Sequence, residues 1–192
     1  MKKKFNQGLF IGRFQPFHKG HLYALEVASS LCKKLVIGIG SSQERGTETN
    51  PLSADARIRI IKAGIRGTQI KTSNLKFIEI PDFRDNDAWF EYIIKKEPGI
   101  NIIFSRNALV KKIFLSHGIP IMSPEWYKRK TLVATRIRGL IKSGKRWQDR
   151  VPEGAVDEIT ACESSIKEAE SRTTKKKPRS FVMTRGQYRK KQ

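Results

Sequence analysis

Along most of the chain, short apolar runs alternate with longer segments whose apolar residues recur at helical spacing. Leu9-Phe10-Ile11 reads as a strand and leads into a helix from about Lys19 to Leu31, and Leu35-Val36-Ile37-Gly38-Ile39 leads into another from about Ala54 to Ile65. Phe77-Ile78-Glu79-Ile80 then precedes a helix over Asn86 to Lys95, and Ile102-Ile103-Phe104 precedes one over Ala108 to Ser116. Ile119-Pro120-Ile121-Met122 comes before a helix that begins near Thr135. Five strand-helix pairs predict an α/β fold, a parallel sheet with helices on both faces, which binds ligands beyond the carboxyl ends of its strands where strand order reverses. Pro152 to about Ala169 reads as one closing helix, with Val156, Ile159 and Ile166 at partly helical spacing, and no internal repeat is visible.

Composition narrows the class. A length of 192 residues with 38% apolar positions suits one domain with a short extension, here a domain over 1–170 and a flexible basic tail over 171–192. No run of about 18 apolar residues occurs, and Met1-Lys2-Lys3-Lys4 leads into no apolar signal region, so a cytoplasmic protein without a membrane span is expected. Cys32 and Cys162, each in a helix-like stretch, form no CxxC and have no His at ligand spacing, which leaves buried thiols rather than a disulfide or zinc framework.

The net charge of +21 is compatible with a nucleic-acid binder, a protein drawn to anionic membrane or an enzyme of polyphosphates. From Arg172 to Gln192 there are nine cations and no acid, which leaves +12 for residues 1–171. That tail could contact nucleic acid nonspecifically, with Phe181 and Tyr188 stacking on bases, or serve only solubility.

Candidate chemistry sits in Gly12-Arg13-Phe14-Gln15-Pro16-Phe17-His18-Lys19-Gly20-His21, after the first strand and at the start of the first helix, where backbone N–H groups favour an anion. His18 and His21, three apart, face the same side of a helical first turn, at a site expected to be exposed, and Gly20 lets a phosphate approach the backbone. Two convergent donors there could stabilise charge on a phosphorus under attack; a metal site or a solvated turn is the bland alternative. The chain has no GxxxxGK[ST], and Gly38-Ile39-Gly40 lacks the third glycine of a dinucleotide fingerprint. Thr135-Arg136-Ile137-Arg138 forms a second candidate, with Thr135 placed as an N-cap and Arg138 over the same turn, suited to a triphosphate or to an ordinary solvated helix face.

In these two motifs the chain resembles the HxGH nucleotidyltransferase superfamily, and within it the archaeal-type nicotinamide-nucleotide adenylyltransferases. Gly40-Ser41-Ser42-Gln43, Asn50-Pro51-Leu52-Ser53-Ala54 with Arg57, Ile80-Pro81-Asp82 with Asp85-Asn86 and Trp89, Ser105 with Asn107, Pro124 with Arg129, and Gly144 with Trp147 and Val151-Pro152 fall in the family's order, so the resemblance covers about residues 8 to 160. It implies a Rossmann-like fold and transfer of the adenylyl group of ATP to nicotinamide mononucleotide, forming NAD and pyrophosphate without a covalent intermediate. It further implies Mg²⁺ carried by ATP, no metal held by the protein itself, and a homo-oligomer.

Residue by residue, the resemblance makes His18, His21 and Arg138 catalytic and assigns Ile11, Gly12, Arg13, Phe14, Gln15, Gly20, Thr135 and Arg136 to ATP. It assigns Asn86, Trp89, Ser42 and Gln43 to the nicotinamide nucleotide, with Trp89 stacked on the ring unless it is a plain core aromatic. Phosphopantetheine or flavin mononucleotide as acceptor, or a nucleotide-binding module tethered to nucleic acid by its tail, are the rival readings. The sequence departs from the family at Val133-Ala134, where Ser-Gly is usual, at Arg45-Gly46-Thr47, at Asp55-Ala56, and at Arg106 in place of a glycine.

Overall fold

The computed structural model describes residues 3–125, 127 and 131–169. The basic tail, read above as a nonspecific nucleic-acid contact or a solubility element, and Arg129 of the family pattern lie outside the described residues.

The strands are β1 (Phe5–Gly12), β2 (Cys32–Gly40), β3 (Leu75–Ile80), β4 (Ile102–Phe104) and β5 (Ile121–Met122). They form one sheet in the order β3-β2-β1-β4-β5, parallel at every pairing. Between them run α1 (Lys19–Leu31), α2 (Ala54–Gly64), α3 (Asn86–Lys96) and α4 (Ala108–Ser116), followed by α5 (Ala134–Lys142), α6 (Val156–Thr160) and α7 (Glu163–Glu168). Strand order reverses between β1 and β4, so the carboxyl ends of these two strands open a crevice.

Side-chain alternation explains the layering. Leu9, Val36 and Ile103 point into a core shared with Tyr92, Ile93, Val110 and Phe114 of α3 and α4. Their neighbours Phe10, Ile37, Ile102 and Phe104 point the other way, into a core shared with Leu25, Ile60, Ile61, Ile137, Ile141, Ile159 and Ile166. Both sheet faces are therefore covered, which is why Leu35 to Ile39 reads as an unbroken apolar run. Among the described residues no helix is long and apolar enough to cross a membrane.

Two expectations change. Cys32 is not helical: α1 ends at Leu31 and the backbone becomes extended at Cys32 (φ −111°, ψ 145°), where β2 begins. Cys32 and Cys162 are both buried, as expected. The closing helix is broken into a 3₁₀ turn at Glu153–Ala155, then α6, then α7. At Gly154 a Cβ would lie 2.5 Å from the Ala63 carbonyl oxygen, so the chain presses its backbone against α2 where a regular helix would hold it away. At Cys162 the N–H bonds back to Ile159, tightening the turn between α6 and α7.

Candidate active site

The loop from β1 to α1 is fixed by contacts far away in sequence. Phe14 stands at φ 50°, a left-handed conformation that a bulky residue holds only when its surroundings force it. Its ring is buried against Phe10, Phe17 and His21. A Cβ at Gly12 would lie 2.8 Å from that ring, so only glycine fits there. The Gln15-Pro16 bond is cis. The Gln15 side chain, 3% exposed, donates to the Leu52 carbonyl at 2.9 Å and accepts from the Leu52 N–H at 3.0 Å. Both ends of its amide are thus tied to the loop before α2, which fixes Gln15 at the wall of the larger cavity described below.

His18 is the N-cap of α1 and His21 lies in the first turn. The His21 N–H donates to the His18 carbonyl at 2.8 Å and reaches His18 Nδ1 at 3.3 Å, so in the neutral His18 ring the proton sits on Nε2. The imidazoles stack with centroids 3.7 Å apart and 21° between planes. Gly20 permits this: a Cβ there would lie 3.1 Å from the His18 ring.

His18 is buried and His21 half-buried, rather than both being exposed. His18 is 7% exposed, and burial lowers its pKa to about 4 against an opposing backbone hydrogen bond. His21 is pushed well below its ordinary value by burial and by the nearby His18. Among the described residues His21 Nδ1 is buried without a hydrogen-bond partner.

Arg138 comes in from α5 and is almost buried; its guanidinium donates to the Gln15 carbonyl at 2.8 Å. Burial, and then Arg13, lower its pKa. Thr135 is not the N-cap. That position is Val133, extended at φ −126°, ψ 129°, with no side-chain capping bond, so Thr135 falls within the first turn of α5. Arg136 is exposed and lines neither of the two cavities described next.

Two cavities open at the crevice between β1 and β4. The larger, about 490 Å³, is lined by His18, Gly20, His21, Thr135 and Arg138 together with Phe14, Gln15, Thr49, Arg106 and Tyr127. The smaller, about 370 Å³, is lined by Ser41, Asp82, Phe83, Asn86 and Trp89. Ile11, Gly12, Arg13, Ser105 and Asn107 line both, so the two cavities share a wall made by the ends of β1 and β4. Trp89 also packs edge-on against Phe114, with centroids 5.9 Å apart, and so belongs to core and cavity at once. Ser42 and Gln43 do not line this cavity themselves: they line a surface groove with Phe77, Glu79 and Tyr92, and Gln43 reaches the cavity only through its bonds to Asp82.

Sequence reasoning assigned no role to Arg57, although its place in the family pattern was legible. It is wholly buried, and its guanidinium donates to the carbonyls of Gly40 (2.7 Å), Arg13 (3.1 Å), Ser53 (3.2 Å) and Ser41 (3.3 Å). Burial brings its pKa down to about 10. It ties the carboxyl ends of β1 and β2 together under Arg13 and Ser41. Arg106 adds a further tie, donating to the Pro124 carbonyl.

This geometry can be set beside known proteins. The chain is 35% identical over 147 residues to the nicotinamide-nucleotide adenylyltransferase of Saccharolobus solfataricus, covering 77% of this chain and 86% of that one. It is 37% identical over 154 residues to the enzyme of that name from Ignicoccus hospitalis, covering 80% and 90%. A solved bifunctional NMN adenylyltransferase/ADP ribose pyrophosphatase from Francisella tularensis matches 88% of this chain with a TM-score of 0.76 at 20% identity, a likeness of fold. The chain spans about half, 54%, of that bifunctional protein. The stacked His pair, the cavity-lining Arg13 and Arg138 and the paired cavities all fall within residues 9–149, the stretch that matches the cytidylyltransferase-like family, and to that family this chain belongs.

Proposed function

We propose that this protein transfers the adenylyl group of ATP to the phosphate of nicotinamide mononucleotide, forming NAD and releasing pyrophosphate. The stacked, uncharged His18 and His21, beside the wall shared by two cavities, are the observation that carries this reading. The larger cavity receives ATP and the smaller the mononucleotide, which brings the attacking phosphate to the α-phosphorus across Gly12 and Arg13.

An oxygen of the mononucleotide phosphate bonds to the α-phosphorus as the bond to the bridging oxygen breaks, and pyrophosphate leaves with the electron pair. The leaving group needs no proton, so the protein acts by positioning and by stabilising charge. His18 offers its Nε2–H to the transferred phosphoryl group, and His21 brings an imidazole whose Nδ1 has no partner among the described residues. Arg138, oriented by its bond to Gln15, and Thr135 hold the β- and γ-phosphates. Asn86 meets the carboxamide while Trp89 stacks on the ring. Among the described residues no group of three or more His, Cys, Asp or Glu gathers as a metal site, and the divalent cation, Mg²⁺ in this reading, enters as part of the ATP complex.

Incubation with ATP, Mg²⁺ and, separately, nicotinamide mononucleotide, phosphopantetheine or flavin mononucleotide tests the acceptor. NAD is the expected main product by mass. An adenylylated pantetheine or flavin as main product would overturn the assignment.

A further inference from the structure

The smaller cavity has a charge pattern that phosphoryl transfer alone does not require. Of the residues that line it, two are charged: Arg13, in the loop after β1, and Asp82, in the loop after β3. Asp82 is held firmly. Ser41 Oγ donates to one carboxylate oxygen at 3.1 Å, Gln43 Nε2 donates to the other at 2.9 Å, and the Asp82 N–H donates to Gln43 Oε1 at 3.1 Å. Ser41 in turn is set at φ 48°, with its carbonyl held by Arg57. A carboxylate has about four lone-pair directions, so both oxygens keep acceptor capacity beyond these bonds.

We propose that Asp82 selects the acceptor by charge, admitting a mononucleotide whose ring is cationic and carries a neutral substituent, and rejecting the same nucleotide when that substituent is a carboxylate. The proposal rests on the adenylyl-transfer reading above. A cation and an anion on one cavity complement a ligand with an anionic phosphate at one end and a pyridinium at the other. Nicotinamide mononucleotide has this pattern, and its carboxamide can donate to a carboxylate. Nicotinate mononucleotide adds a negative charge and removes that donor. Trp89 favours either flat ring, and Asn86 can donate to one and both donate to and accept from the other. The fixed carboxylate is the group that tells them apart.

The test is the ratio of kcat/KM for nicotinamide over nicotinate mononucleotide at saturating ATP. Like charges meeting in a partly enclosed site should make the wild-type ratio about tenfold or more in favour of nicotinamide. Asp82→Asn keeps the side-chain shape and an acceptor for Ser41, and should lower the ratio by about tenfold; KM for ATP should stay within about twofold, since Asp82 does not line the larger cavity. Asp82→Glu, which keeps the charge, should retain most of the preference. A wild-type protein that uses both acceptors equally overturns the proposal whether or not the variants fold. So does Asp82→Asn with an unchanged ratio and normal ATP affinity. A wild-type protein that adenylylates neither pyridine nucleotide instead removes the function on which the proposal stands.

Discussion

The His18 and His21 imidazoles lie face to face, 3.7 Å between centroids, with the His21 N–H directed at His18. Two rings this close in a buried site resist becoming charged together, and both are held in the neutral form at pH 7. An arriving triphosphate works against that preference, because a nearby anion favours imidazolium.

Binding of ATP should therefore take up protons. Calorimetry at pH 6 in buffers of different ionisation enthalpy is expected to show net uptake on binding. His18→Asn, which keeps a capping oxygen for the helix but cannot titrate, should reduce it.

The same burial shapes stability in the absence of nucleotide. His18 titrates near 6.5 when unfolded and about 4 when folded. Between these values the unfolded chain binds the extra proton, so the stabilisation is fully present above pH 6.5 and is lost as pH falls towards 4. For His18 alone the loss is roughly 3 kcal/mol. Denaturant unfolding should follow this slope in the wild type and a shallower one in His18→Asn.

Removing His21 should affect both chemistry and packing. His21→Ala is expected to lower kcat by about a hundredfold or more, the scale for loss of one preorganised donor. Because the ring packs against Phe14, Phe17 and His18, the unfolding midpoint should fall as well. Wild-type turnover in this variant would exclude the ring from the reaction.

Arg57 links fold to site. Arg57→Met removes the guanidinium donor from the carbonyls of Arg13, Gly40 and Ser41, leaving Ser53 only its backbone N–H partner, and should destabilise the protein by about 3 kcal/mol. Arg57→Lys keeps the charge but loses the planar fork and should fall between the two in denaturant unfolding.

Local patterns in the sequence carried much of this structure. The bounds of α1, β4 and α4 follow directly from apolar periodicity, because each element buries one stripe or two faces in a regular way. The two motifs that meet at the larger cavity were legible for the same reason: residues 12–21 and 135–138 carry their chemistry in short segments. Long-range contacts were not legible. Gln15 is bonded to Leu52, 37 residues away, and the His21 ring packs against Phe14, which stands at positive φ. The N-cap of α5 was misplaced since threonine favours caps in general, whereas here the backbone turns helical one residue after Val133. Ser42 and Gln43 sit next to Ser41 in sequence, but after a left-handed residue they line another groove, and Gln43 meets the smaller cavity only by holding Asp82.

The most direct test of the account follows the α-phosphorus. With ATP labelled at that atom, Mg²⁺ and nicotinamide mononucleotide, the label should appear in NAD in step with unlabelled pyrophosphate, and none should stay on the protein when the acceptor is omitted. Label bound to the protein without acceptor, or label released with no NAD formed, would contradict direct adenylyl transfer across the His18–His21 site.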